Sequence, residues 1–156
     1  MSKFSVARHV PYTADQIFAI ASDVASYSTF LPLVRRSTVS NRKDLGDGRE
    51  GFESELVITY KKLGISEVMR STVITDKTKR LVTATSGEDG PIKSLDSGWR
   101  IVPDANGGCD IELAIDYTLK SRSLQFLLSG MFDLAVRRIM TAFEDRAKEL
   151  YGAAAA

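Results

Sequence analysis

The strongest constraint on the fold is a C-terminal stretch with a helical apolar period. From about Ser123 to Tyr151, the residues Leu124, Leu127, Leu128, Met131, Ala135, Ile139, Phe143, Ala147 and Leu150 make one continuous stripe. Asp133–Arg137 and Glu144–Lys148 are acid-before-base pairs four apart, which mark a solvent face opposite. A helix of about 28 residues is roughly 42 Å long at 1.5 Å per residue. The chain offers no second helix of similar length, so another kind of element must cover the stripe.

The rest of the chain supplies strands. Cys109, Ile111, Leu113, Ile115, Tyr117 and Leu119 alternate with Asp110, Glu112, Ala114, Asp116, Thr118 and Lys120, a strict period of two. That pattern predicts an antiparallel sheet with one dry and one wet face. Phe52, Leu56, Ile58 and Tyr60 alternate with Glu53, Glu55, Val57 and Thr59 in the same way. Further strands are expected at Lys3 to Val10, Val34 to Lys43 (a polar edge), Ile65 to Thr75, Leu81 to Thr85 and Leu95 to Val102. Turns separate them at Gly46-Asp47-Gly48, Leu63-Gly64, Asp76 to Lys79, Gly87 to Pro91 and Asp104 to Gly108. After Pro11, Thr13-Ala14-Asp15-Gln16 has the form of a capping box. The helix behind it presents Ile17, Ile20, Ala21 and Val24 on one face, and a short second helical turn runs from Ala25 to Leu31, closed by Pro32.

The order predicts an α+β helix grip: about seven antiparallel strands curled around the C-terminal helix, with two short helices after the first strand. Gly98 and the glycine turns are expected to help the sheet bend. With 156 residues, the chain is read as one domain over residues 1–152, followed by a frayed Ala tail, 153–156. A formal net charge of +1 gives no electrostatic case for DNA binding. No apolar run approaches the roughly 20 residues of a membrane span. No secretory signal is read at the N-terminus, so a cytoplasmic location is expected.

The signals of catalysis are sparse. His9 is the single histidine and Cys109 the single cysteine. His9 falls on the polar side of its strand and reads as a rim residue. Cys109 reads as a small buried hydrophobe, without a third partner for nucleophilic chemistry. One Cys and one His do not make a structural zinc site, and the carboxylates alternate along strands instead of clustering. No enzymatic activity, metal or cofactor is expected.

Apolar surface remains. Phe52, Leu56, Ile58, Tyr60, Trp99, Ile101, Leu113, Ile115 and Tyr117 fall on the dry sheet face. Leu128, Met131, Phe132, Ala135 and Ile139 fall on the helix. These residues either fill a core or line a gap for a lipophilic molecule, with Trp99, Tyr60 and Tyr117 offering polar tips to orient it. Phe30 and Leu31, within the apolar segment Tyr27 to Val34, form a pocket lid, a membrane-touching loop or an anchor to the core.

Several blocks resemble a known family. They are Val10-Pro11-Tyr12-Thr13-Ala14-Asp15-Gln16-Ile17-Phe18, Asp23-Val24-Ala25-Ser26-Tyr27 and Phe30-Leu31-Pro32 near the N-terminus. Gly98-Trp99-Arg100-Ile101-Val102-Pro103 and Ile115-Asp116-Tyr117-Thr118-Leu119-Lys120-Ser121 follow. Gly130-Met131-Phe132, Ala142-Phe143-Glu144-Asp145-Arg146-Ala147 and Leu150-Tyr151-Gly152 complete the set. Together they are similar to the coenzyme Q-binding START-domain family of the polyketide cyclase/START superfamily. The chain departs from the family pattern at Ser28, Leu33, Val34 and Arg122-Ser123. The resemblance implies a helix grip that binds ubiquinone or another polyprenyl lipid, without catalysis and in support of respiratory electron transport. A transient contact with the inner membrane goes with that role. Its bacterial members also imply an alternative, binding the large ribosomal subunit and blocking subunit association. Arg35-Arg36, Arg42-Lys43 and Arg137-Arg138 are the local basic clusters available for that.

Overall fold

Strand β1 (Ser2–Val10) stops at Pro11, whose ring removes a ladder donor, and helix α1 (Ala14–Ser22) begins behind it. The capping box forms as expected: the Gln16 amide N–H donates to Thr13 Oγ1 at 3.1 Å, and Thr13 N–H donates to Gln16 Oε1 at 3.0 Å. Ile17, Ile20, Ala21 and Val24 are all buried. A 3₁₀ turn (Val24–Ser26) and the one-turn helix α2 (Tyr27–Phe30) complete the N-terminal helical segment. The computed structural model describes residues 2–60, 64–87 and 92–152, without the side chains of 2, 60, 65, 92, 124 and 127–133.

Strands β2 (Val34–Gly46), β3 (Arg49–Tyr60), β4 (Ile65–Asp76), β5 (Leu81–Ser86), β6 (Ile92–Pro103) and β7 (Cys109–Leu119) run as an antiparallel meander. β1 pairs with β7, so the seven-stranded sheet has the order β1-β7-β6-β5-β4-β3-β2. The mostly exposed β2 is the far edge, where its polar composition belongs. The bends lie at register shifts in β2 and at the start of β6. A Cβ at Gly98 would meet the Val82 carbonyl oxygen at an ordinary 3.5 Å.

The alternation of β7 holds: Cys109, Ile111, Leu113 and Tyr117 are buried, and Ile115 and Leu119 half-buried. Register carries that dry face across the sheet, with Trp99 opposite Leu113, Val82 opposite Trp99, and Phe52 opposite Val73. Arg8 also lies on the dry side of β1, and its guanidinium reaches helix α3 (Arg122–Tyr151), donating to Thr141 Oγ1 at 3.0 Å and Glu144 Oε1 at 2.8 Å.

Two expectations about α3 change. Among the described residues of α3, Gln125, Val136, Met140, Phe143 and Ala147 are buried, while Ala135 and Ile139 are half-buried flanks and Leu150 is half exposed. Both stripes satisfy a 3.6 period. The helix is rotated by about one residue, toward Val136 and Met140, so that Phe143 can stack on Trp99. Glu144 pairs with Arg8 across the interface rather than with Lys148 on its own helix. Among the described residues no helix is long and apolar enough to cross a membrane.

Candidate functional site

The dry face of the sheet has two halves. Under the C-terminal half of α3 it is packed solid. Trp99 and Phe143 stack with centroids 4.1 Å apart, Phe30 meets Phe143 edge-on at 5.6 Å, and Tyr27 does so at 6.2 Å. Ile17, Ile101, Ile111, Cys109 and Met140 are at most 2% exposed around them. The Tyr27 hydroxyl donates to the Ala21 carbonyl and is hydrogen-bonded by Trp99. Burial raises the Tyr27 phenol above its ordinary value, so it stays neutral.

The segment Tyr27 to Val34 is therefore an anchor. Tyr27 and Leu31 are buried, Phe30 lies beneath the Arg146 guanidinium, and Ser37 holds Ser28 through its amide and hydroxyl. Leu33 has a positive φ of 71°, an uncommon value for a bulky non-glycine residue, and its carbonyl accepts from Thr59 N–H at 2.8 Å.

Toward the N-terminal half of α3 the packing changes. Tyr117 and Leu95 form a second, smaller cluster, with Phe4, Met69, Ile115 and Leu119 packed on it half-buried. Tyr117 stacks on Phe4 at 6.2 Å. Leu56 and Ile58 on β3 are also half-buried, although they face the same way as the buried Phe52.

The predicted ligand set thus divides. Phe30, Leu31, Trp99, Ile101 and Leu113 belong to the solid core. Leu56, Ile58, Ile115 and Tyr117 face the looser half, with Ala135 and Ile139 on the flank of α3. The side chains of Tyr60, Leu128, Met131 and Phe132 lie outside the described residues. Trp99 does not offer its indole N–H to a gap, because Tyr27 takes it. The sequence reading passed over Ser54 and Ser71, which share the dry face with Phe52 and Val73. Their signal was their place in the period of two, masked by their polarity.

The titratable groups are dispersed. His9 donates from Nδ1 to Asp110 at 2.9 Å and lies 3.2 Å from Asp104, exposed at the rim. Its ring covers Gly108, where a Cβ would lie 2.7 Å from the Val10 carbonyl oxygen. Cys109 is one residue further along but faces the core, and its thiol is pushed up to about 11 by burial and then by the charges of Asp110 and Asp104. His9 and Cys109 stand on opposite faces of the sheet, so they do not form a pair. Among the described residues no group of three metal-ligating side chains comes together. A hollow of about 480 Å³ beside His9, Arg100 and Glu112 opens on the convex face, and one of about 200 Å³ lies between Ala19, Phe30 and Arg146.

Residues 10–144 match the family model described as polyketide cyclase / dehydrase and lipid transport. The chain belongs to that family. Ribosome association toxin RatA of Vibrio cholerae is 30% identical over 97% of this chain and 99% of its own length. The mitochondrial coenzyme Q-binding protein COQ10 homolog B of Xenopus laevis is 26% identical over 96% of this chain and 59% of its own length. Among solved structures, the 18 kDa protein CC1736 of Caulobacter crescentus superposes with a TM-score of 0.83 at 29% identity, covering 98% of this chain and 100% of its own. The Zhui aromatase/cyclase of Streptomyces superposes with a TM-score of 0.78 at 14% identity over 94% of this chain and 93% of that one, a likeness of fold alone. The family relationship thus agrees with the resemblance read from the sequence blocks.

Proposed function

We propose that this protein binds a prenylated quinone, ubiquinone or a close relative, between the looser half of the sheet and the N-terminal half of α3, and converts it into nothing. The observation that carries the reading is the half-buried apolar floor, Leu56, Ile58, Met69, Ile115 and Leu119, lying in line with a solid core. Apolar area on a concave face is worth about 25 cal/mol per Å² when covered, and each buried CH₂ of an isoprenoid tail contributes about 0.8 kcal/mol. The family's lipid-transport description and the coenzyme Q-binding relative point to the same ligand class. A carrier role supporting respiratory electron transport follows, with transient contact at the inner membrane to load and unload. Absence of a catalyst agrees with His9 at the rim and Cys109 held protonated in the core. The test is extraction of the protein, purified from its native host, with organic solvent. A prenyl quinone in the extract, and quenching of Trp99 fluorescence on quinone titration, are expected. An empty extract with no quenching overturns the reading.

A second reading rests on a different observation. Arg35, Arg36, Arg42 and Lys43 are exposed along edge strand β2, and RatA is similar over its whole length. These cations give a surface that could meet ribosomal RNA. Co-sedimentation with the large ribosomal subunit at moderate salt, abolished by R35E/R36E, is the expected result. A protein that stays wholly in the supernatant rules this reading out.

A further inference from the structure

Two serine hydroxyls in the floor of the sheet have no structural partner. Ser54 of β3 and Ser71 of β4 stand directly opposite each other, on the dry face, with Cβ atoms about 4.5–5.5 Å apart. Only 5% and 8% of their surfaces are exposed. Among the described residues neither hydroxyl has a hydrogen-bond partner. Ser86, on the adjacent β5 and equally buried, shows the ordinary solution: its hydroxyl donates to the Arg70 carbonyl at 2.5 Å. A buried hydroxyl without a partner destabilises a fold, and alanine would fill the same place without that cost. Two such groups face to face indicate a partner from outside the chain.

We propose that Ser54 and Ser71 seat the polar head of the bound ligand by donating to two neutral oxygen acceptors, such as the carbonyl or ether oxygens of a quinone ring. The inference rests on the lipid-binding reading above and adds an orientation to it. One row deeper, Phe52 and Val73 are 3% and 2% exposed, so the head has no way further in. One row outward, Leu56 lies opposite Met69 and both are half-buried; next comes Ile58 opposite Glu67. The tail therefore runs outward over Leu56, Met69 and Ile58, with the head innermost. Glu67 also sets the class of ligand. A carboxylate beside the path of the tail disfavours a fatty-acid anion, and the nearest cation, Arg42 over the Phe52 ring, is already paired with Glu50 at 2.6 Å. A neutral acceptor fits; an acidic lipid does not.

The experiment compares wild type with S54A/S71A by calorimetric titration, using a short-chain prenylated quinone and the matching isoprenoid hydrocarbon that lacks oxygen. The wild type is expected to bind the quinone more tightly than the hydrocarbon. The double variant should lose about tenfold in quinone affinity per hydroxyl and keep its hydrocarbon affinity. The unliganded variant should melt at the same temperature as wild type or higher, since it sheds two unpartnered groups. An unchanged quinone affinity in the variant overturns the seat and leaves the carrier reading standing, as does equal affinity of wild type for both probes. A clear fall in the melting temperature of the unliganded variant also overturns it, because the hydroxyls would then be structural. Failure of wild type to bind either probe overturns the carrier reading itself.

Discussion

The two halves of one sheet face use the same strands and similar residues, yet they end up in different states. Around Phe143 the face meets rings from α2, β6 and α3 in mutual contact, and Tyr27, Trp99 and Phe143 are buried. Thirteen or more Ångströms along β3 from Phe52, at about 3.3 Å per residue, Leu56 and Ile58 keep the same orientation but are only half-buried. The difference lies in what arrives from above. α1 packs on β5, β6, β7 and α3 over the first half, and α2 joins α3 there. The solid end secures the fold, and the looser end is where the proposed ligand would sit.

The largest expected effect tests the solid half. Phe143→Ala should cost about 3–5 kcal/mol, because it removes the ring that Trp99, Phe30 and Tyr27 all pack against. Urea denaturation measures it, and a loss below about 1.5 kcal/mol would show that this half is not the anchor. Next is a pH dependence from the same half. Cys109 keeps its proton in the fold up to about 11, while the unfolded thiol releases it near 9.0. The folded state binds the extra proton between those values, so stability is full below pH 9 and should fall by on the order of 2 kcal/mol as pH rises toward 11. Most of the decline should be absent in Cys109→Ala, compared by denaturation midpoints at pH 8 and pH 9.8, below the range where the raised Tyr27 phenol adds its own loss.

A smaller change sharpens the contrast. Leu56→Ala, in the loose half, should cost about 1.5 kcal/mol or less without ligand, yet weaken quinone binding measurably in the same preparation. Equal destabilisation by Leu56→Ala and Phe143→Ala would mean the sheet face is packed evenly. The smallest effect lies outside both halves. Thr13→Ala removes one side of the capping box and should lower stability by about 1 kcal/mol, with no change in ligand affinity.

Legibility followed the range of the interaction. The capping box at Thr13 and Gln16 is three residues wide and was readable outright. So was the alternation of β7, because a period of two with one dry face admits one assignment. The α3 stripe was readable as a helix but not in rotation: Ala135 with Ile139 and Val136 with Met140 fit the period equally, and Phe143 stacking on Trp99 chose between them. Ser54 and Ser71 were less visible still. A lone serine in a strand has many uses, and its meaning depends on a partner seventeen residues away.

By itself, then, the sequence determined the element order, the dry faces of the strands and the need for a sheet to cover one long helix, since each follows from local periodicity and burial. Only the tertiary structure decided which part of that face is filled, because closure depends on how α1, α2 and α3 meet a curved surface. It also decided that two hydroxyls from separate strands face each other, a fact set by register across the sheet rather than by any residue alone.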